Sequence, residues 1–217
     1  MNGLNAAVIV AHPDDETLWA GGMMLCHPEW RWFVACLCRA NDPDRAPRFQ
    51  RALRRLRAEG AMGDLDDGPA QEPLAPGEVA QAVTALVPSM QFDIAITHGP
   101  DGEYTRHRRH EETAGAVAGL WREGRLSARE LWMFAYDDDG GRTLPRAASD
   151  AHLLLPLPRT AYLIKRRIIT GIYGFAPESF EAQAAPRAEA FRRFCSPAAL
   201  HMWSAQRGDR DETVASV

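Results

Sequence analysis

Cysteine is scarce in this chain: four in 217 residues (Cys26, Cys36, Cys38 and Cys195), with no CxxC among them. That excludes a disulfide framework and a Cys-rich zinc module. Cys36 and Cys38 lie two apart in the apolar run "WFVACLC"; on a strand they face the same side and read as buried free thiols. Long apolar runs are missing too, none approaching the ~18 residues of a membrane helix, so no membrane span is expected. The start, "MNGLNAAVIVAHP", has no basic region ahead of its apolar residues; it reads as a first strand rather than a leader, and the expected compartment is the cytoplasm. Positive charge is not in excess. A net charge of -4 and a pI near 6.0 give no footing for a nucleic-acid partner. Glycine is missing where nucleotide loops need it: no GxGxxG follows the first apolar run, and the chain has no GxxxxGK[ST] or GxSxG. A dinucleotide loop, a P-loop and a serine-hydrolase elbow therefore lose their main support.

What is present describes one domain over residues 1–217. A hydrophobic fraction of 46% with 25% charged residues suits a soluble globule with a sizeable core. Apolar runs at 6–11, 32–38, 92–97 and 131–136 alternate with stretches of helical composition near 16–26, 47–60, 76–90 and 109–119. Strands apolar throughout, alternating with helices, predict an α/β fold: a Rossmann-like, mostly parallel open sheet with helices on both faces. Ligands of such sheets bind at the carboxyl ends of the strands. Residues 64–77 predict a long loop, 137–150 a polar mobile segment, 165–173 ("KRRIITGIY") an amphipathic helix, and the residues from about 208 a frayed polar tail.

Two clusters sit at those strand ends. "VIVAHPDDETLWAGG" places His12, Asp14, Asp15 and Glu16 just after the first strand. His12 and Asp15 are three apart, so one turn leading into a helix points both at the same spot. An imidazole nitrogen with a carboxylate oxygen suits a divalent ion such as zinc; the plainer alternative is an Asp-rich helix cap. Asp14 points elsewhere and can stand beside a metal without binding it. After the strand at 92–97, "TRHRRHEE" repeats the spacing with His107 and His110. The plainer alternative there is a basic, solvated helix start. His98 stands close enough in sequence to line the same site, whereas His27, His152 and His201 lack partners in pattern and read as structural or exposed.

"AHPDDE" followed by "THGPDGEYTRHRRH" closely resembles the PIG-L/LmbE-like family of zinc-dependent N-deacetylases, over roughly residues 6 to 120. The resemblance implies that His12, Asp15 and His110 bind Zn2+, or another divalent ion such as Fe2+. It implies that Asp14 is the general base and that His107, protonated, stabilises the transition state. Three protein ligands leave a position open for water, as catalytic zinc sites require. Arg48 and Asp67 correspond to family residues that contact the sugar. The implied activity is hydrolysis of an N-acetyl group on an amino sugar or glycoconjugate, a small-molecule partner. The rivals are a metal-dependent hydrolase of a different amide or N-acyl bond, and a non-catalytic small-molecule-binding module on the same fold. The chain departs from the family pattern in three places. Thr105-Arg106 lengthens the usual GEYGHxxH by one residue, "CRANDPDR" stands where a TxGE-type loop is common, and "YGF" at 173–175 replaces an HxSQ-like segment.

Overall fold

The computed structural model describes residues 3–104 and 107–214. In chain order the elements are β1 (Asn5–Val10), α1 (Asp15–Cys26), β2 (Arg31–Cys38), α2 (Arg45–Leu56), β3 (Ala58–Leu65), α3 (Pro76–Leu86), β4 (Phe92–Thr97), α4 (Arg108–Arg122) and β5 (Ala128–Phe134). A small hairpin of β6 (Tyr136–Asp137) and β7 (Arg146–Ala147) follows, then β8 (Leu153–Pro156) and α5 (Arg159–Arg167). A π-helical turn (Ile168–Ile172), α6 (Phe180–Ala184), β9 (Ala188–Phe194) and α7 (Pro197–Val214) complete it.

Seven strands form one sheet in the order β3-β2-β1-β4-β5-β9-β8. Neighbours from β3 through to β5 pair in parallel, while β9 runs antiparallel to both β5 and β8. The expected mostly parallel α/β sheet is therefore what forms. The alternation of β1 explains its two faces: Ala6, Val8 and Val10 enter one core with α1 and α2, and Ala7 and Ile9 enter another with α3 and α4. Because β1 is flanked by β2 and β4, the chain direction across the sheet reverses at the β1–β4 pair. Crevices of open α/β sheets lie at such switch points, and both titratable clusters follow these two strands.

One expectation from sequence is corrected. The helix expected to run to residue 60 ends at Leu56, where Arg57 adopts a left-handed conformation with φ 57. The next residues form the edge strand β3. "AEGAMGDL" has little β propensity, but its glycines allow close pairing: a Cβ at Gly60 would stand 2.4 Å from the Val34 carbonyl oxygen. Strand β9 went unread in sequence because its alternation is hidden: two of its buried positions are Glu189 and Arg192. Each has an ionic partner, Lys165 and Asp150 respectively. The last helix, α7, spans Pro197–Val214. Residues 165–173 are helical, as expected, although the last turn widens to the π form. Among the described residues no helix is long and apolar enough to cross a membrane.

Candidate metal centre and its pocket

The turn after β1 is tight. Asp15 N–H donates to the His12 carbonyl (3.3 Å), and the Asp15 Oδ2 accepts from the His12 backbone N–H (2.9 Å). This loop folds the imidazole and the carboxylate toward one point. From the other strand, α4 delivers His110 on its first turn, fully buried. His12 Nδ1, Asp15 Oδ2 and His110 Nε2 then stand 3.2 Å (His12–His110), 3.3 Å (His12–Asp15) and 3.3 Å (His110–Asp15) apart. Zinc–ligand bonds of ~2.0–2.1 Å in a tetrahedron require edges of about 3.3–3.4 Å between donor atoms. The three donors fit that ion.

Each imidazole is backed by a carboxylate. His110 Nδ1–H donates to Glu103 Oε2 (2.7 Å), and His12 Nε2 pairs with Asp67 Oδ1 (3.0 Å). Such partners fix the ring orientation and direct the free nitrogen lone pair inward. Asp67 is itself held by Arg39 (2.6 and 2.8 Å) and Gln71 (2.9 Å). Glu103 also accepts from Gly99 N–H and His98 Nδ1–H, both at 2.8 Å. Sequence reasoning passed over Glu103. The only available signal was a carboxylate in "GPDGE", seven residues before His110.

His98 lies at the same convergence, 3.5 Å from Asp15. Its Nε2 accepts the Ala11 backbone N–H (3.0 Å), so that lone pair is spent. Burial lowers its pKa, and it serves as a neutral bridge between β1 and Glu103. His107 is placed differently. Its ring packs beside His12 and His110, centroids 4.6 and 4.5 Å away, and its buried Nδ1 has no hydrogen-bond partner. Burial first, then the two neighbouring histidines, bring its pKa down to about 4. That environment disfavours the protonated His107 expected from sequence, since a cation there would be desolvated beside two other imidazoles.

The electrostatics of the centre call for positive charge. Asp15 is held well below the usual carboxylate range despite burial, because His110, His12 and His98 surround it. His110 is pushed up to about 10, chiefly by Asp15 and Glu103 against the opposing effect of burial. Adjacent Asp14 goes the other way: burial, then the Asp15 and Glu16 carboxylates, raise it well above its ordinary value. Its backbone is unusual, with φ 130 and ψ -28, and its side chain pairs with Arg45, 3.5 Å distant.

These groups open into a cavity of about 280 Å³. Asp14, His107, Arg39, Arg45 and Asp67 line it, with Tyr104, Phe175 and Phe180 as aromatic walls. The expected sugar contacts therefore occupy different places. Asp67 faces the cavity. Arg48 is directed one turn further along α2, where it pairs with Asp44 and donates to the carbonyls of Ile172 (3.3 Å) and Tyr173 (2.5 Å). Arg45, which sequence reasoning did not single out, is the α2 arginine at the pocket, its guanidinium 4.8 Å from the Phe175 ring centroid. Thr105-Arg106 lies outside the described residues. A larger cavity of about 510 Å³ shares the Tyr104 wall but lies over the β6–β7 hairpin, where Arg192 is paired with Asp150 and Arg207 with Asp101. Size would select that cavity; donor chemistry selects the smaller one.

Comparison with known proteins follows this geometry. Three of the solved structures that share the fold illustrate the likeness. N,N'-diacetylchitobiose deacetylase from Pyrococcus horikoshii has 14% identity and a TM-score of 0.67, covering 89% of this chain and 85% of its own. Teicoplanin deacetylase Orf2, solved in a zinc-inhibited form, has 13% identity and a TM-score of 0.63, covering 87% and 97%. The 4-carboxy-2-hydroxymuconate hydratase of Pseudomonas putida KT2440 has 14% identity and a TM-score of 0.60, covering 88% and 95%. At such identities the likeness is one of fold, and a hydratase shares it with the deacetylases. No curated protein matches. The family described as PIG-L, GlcNAc-PI de-N-acetylase, matches residues 7–121, just over half the chain and the part that supplies every donor atom of the centre. The chain belongs to the PIG-L family.

Proposed function

We propose that the protein is a metal-dependent N-deacetylase acting on a small N-acetylated amino sugar or glycoconjugate, with His12, Asp15 and His110 holding a divalent ion, zinc by preference. One observation carries this reading: three donor atoms spaced for a tetrahedral ion, with an adjacent carboxylate of raised pKa paired to Arg45. The chemistry such an ion supplies when bound is Lewis acidity, acidifying a water and polarising a carbonyl. Asp14 takes the proton of the attacking water; a carboxylate whose pKa is raised is a stronger base than an ordinary one. His107, neutral, places an N–H donor beside the carbonyl oxygen as negative charge develops on it. The proton on Asp14 then passes to the leaving nitrogen, releasing acetate and a free amine. Arg45 and Asp67 offer a donor and an acceptor to substrate hydroxyls, and Phe175 and Phe180 offer faces for a sugar ring.

Because a hydratase shares the fold, architecture alone does not select the reaction. The PIG-L match and the amide-hydrolysis logic of Asp14 beside the donor triad favour deacetylation. The test is elemental analysis of untagged protein, followed by acetate release from a panel of N-acetylated mono- and disaccharides with and without added zinc. About one divalent ion per chain and zinc-stimulated acetate release are expected. A protein that neither holds zinc nor gains activity with it refutes the reading.

A further inference from the structure

Asp14 holds a backbone conformation, φ 130 and ψ -28, that an L-residue adopts only under constraint. Such strain costs of order 1–3 kcal/mol and persists where the surroundings over-determine it. The constraint is visible. Glu16, fully buried, sends its carboxylate back so that Oε2 accepts the Asp14 backbone N–H at 3.0 Å. This is a capping-box contact, made here from the second helical residue. Its Oε1 accepts from Thr17 Oγ1 (2.5 Å) and from the Tyr173 hydroxyl (2.7 Å). The last contact spans 157 residues and brings the end of the π-helical turn onto the β1–α1 loop.

The other end of Asp14 is governed by the same segment. Its carboxylate faces Arg45, whose guanidinium rests on Phe175, two residues beyond Tyr173. Arg48 fastens that segment to α2 through the Ile172 and Tyr173 carbonyls. Gly174 between them has φ +82, and a Cβ there would meet the Arg48 guanidinium at 2.2 Å. We infer that Glu16 and Tyr173 are positioning residues: together they fix the backbone of Asp14 so that its carboxylate meets the reacting water, and residues 172–175 clamp it from both ends. This rests on the deacetylase reading for its catalytic consequence, though not for its geometry.

The experiment compares Tyr173→Phe and Glu16→Gln with wild type in the zinc-loaded full chain. Both variants should keep their zinc and leave KM near wild type. Turnover should fall, by up to ~10²-fold for Glu16→Gln, the scale of a ~1 Å misplacement of a catalytic group. Tyr173→Phe, which removes one hydroxyl and no volume, should fall less and in the same direction. In parallel, amide hydrogen exchange at Asp14 should quicken in both. Exchange is read even if wild type deacetylates nothing: faster exchange with an inactive wild type would sink the functional reading and keep the clamp. Wild-type kcat in both variants, or unchanged exchange at Asp14, would overturn the clamp, whatever happens to thermal stability. If Glu16→Gln does not fold, Tyr173→Phe decides alone.

Discussion

Replacing Glu103 by Gln tests the architecture behind the metal centre. The carboxylate is completely enclosed and accepts three N–H donors: His98 Nδ1, His110 Nδ1 and Gly99 N. Gln keeps the shape but turns one oxygen into a donor, so one of those N–H groups must face another N–H. The cost follows from the carboxyl's own titration. Against burial, His98 and His110 bring its pKa from 4.5 down to about 2; at ~1.4 kcal/mol per pKa unit this is about 3 kcal/mol of native-state stabilisation. A folded pKa below the unfolded one gives stability that is complete above pH ~4.5 and is lost as pH falls through about 2. Metal-free wild type and Glu103→Gln should therefore differ by about 3 kcal/mol in urea unfolding at pH 7 and converge toward pH 2–3. With Glu103 neutralised, His110 loses the partner that directs Nε2 at the ion, and loss of a carboxylate hydrogen-bonded to a ligating histidine weakens metal binding by ~10–100-fold. A chelator competition titration measures that directly. Zinc affinity equal to wild type in Glu103→Gln would refute the claim that this carboxylate orients His110.

The two adjacent aspartates should separate cleanly. Asp14→Asn is expected to keep zinc while turnover falls by roughly 10²–10⁴, the range for loss of a general base, and Asp15→Asn is expected to lose zinc first. Metal content and acetate release with excess zinc decide it, since only Asp15→Asn should be partly rescued. The two arginines of α2 should separate by kinetic parameter. Arg45→Ala should raise KM by roughly tenfold, the scale of one charged hydrogen bond to substrate. Arg48→Ala should lower stability by about 1–3 kcal/mol, for the carbonyls it leaves unpaired, and reduce kcat rather than affect KM; steady-state kinetics with thermal denaturation reads both. Far from the pocket, Lys165→Met removes the ionic partner of the buried Glu189 (2.6 Å) and leaves its charge only the Gly22 and Met23 backbone N–H groups; a loss of about 3–5 kcal/mol is expected, and unfolding within about 1 kcal/mol of wild type, by the same scale, would contradict it.

The alternation of apolar strands with helical stretches was legible along the chain because a strand buried on both faces is apolar through its buried stretch, as β1, β2 and β4 largely are. So were the residues of the centre: the i, i+3 spacings in "HPDD" and "HRRH" survive as local geometry on a turn and a first helical turn. What sequence could not supply was anything that depends on distant partners. β3 pairs through its glycines and β9 through charges buried against Lys165 and Asp150, so neither carries the hydrophobic pattern by which strands are recognised. Glu103 and Asp67 look like surface acids until tertiary contact sets each behind a histidine. His107 reads as a cation among arginines, yet burial beside His12 and His110 disfavours that charge. Arg45 and Arg48 are one helical turn apart, and only the packing of residues 172–175 against α2 decides which reaches the pocket. Local spacing brings side chains onto a common face; what they do there follows from desolvation and from neighbours that arrive from far along the chain.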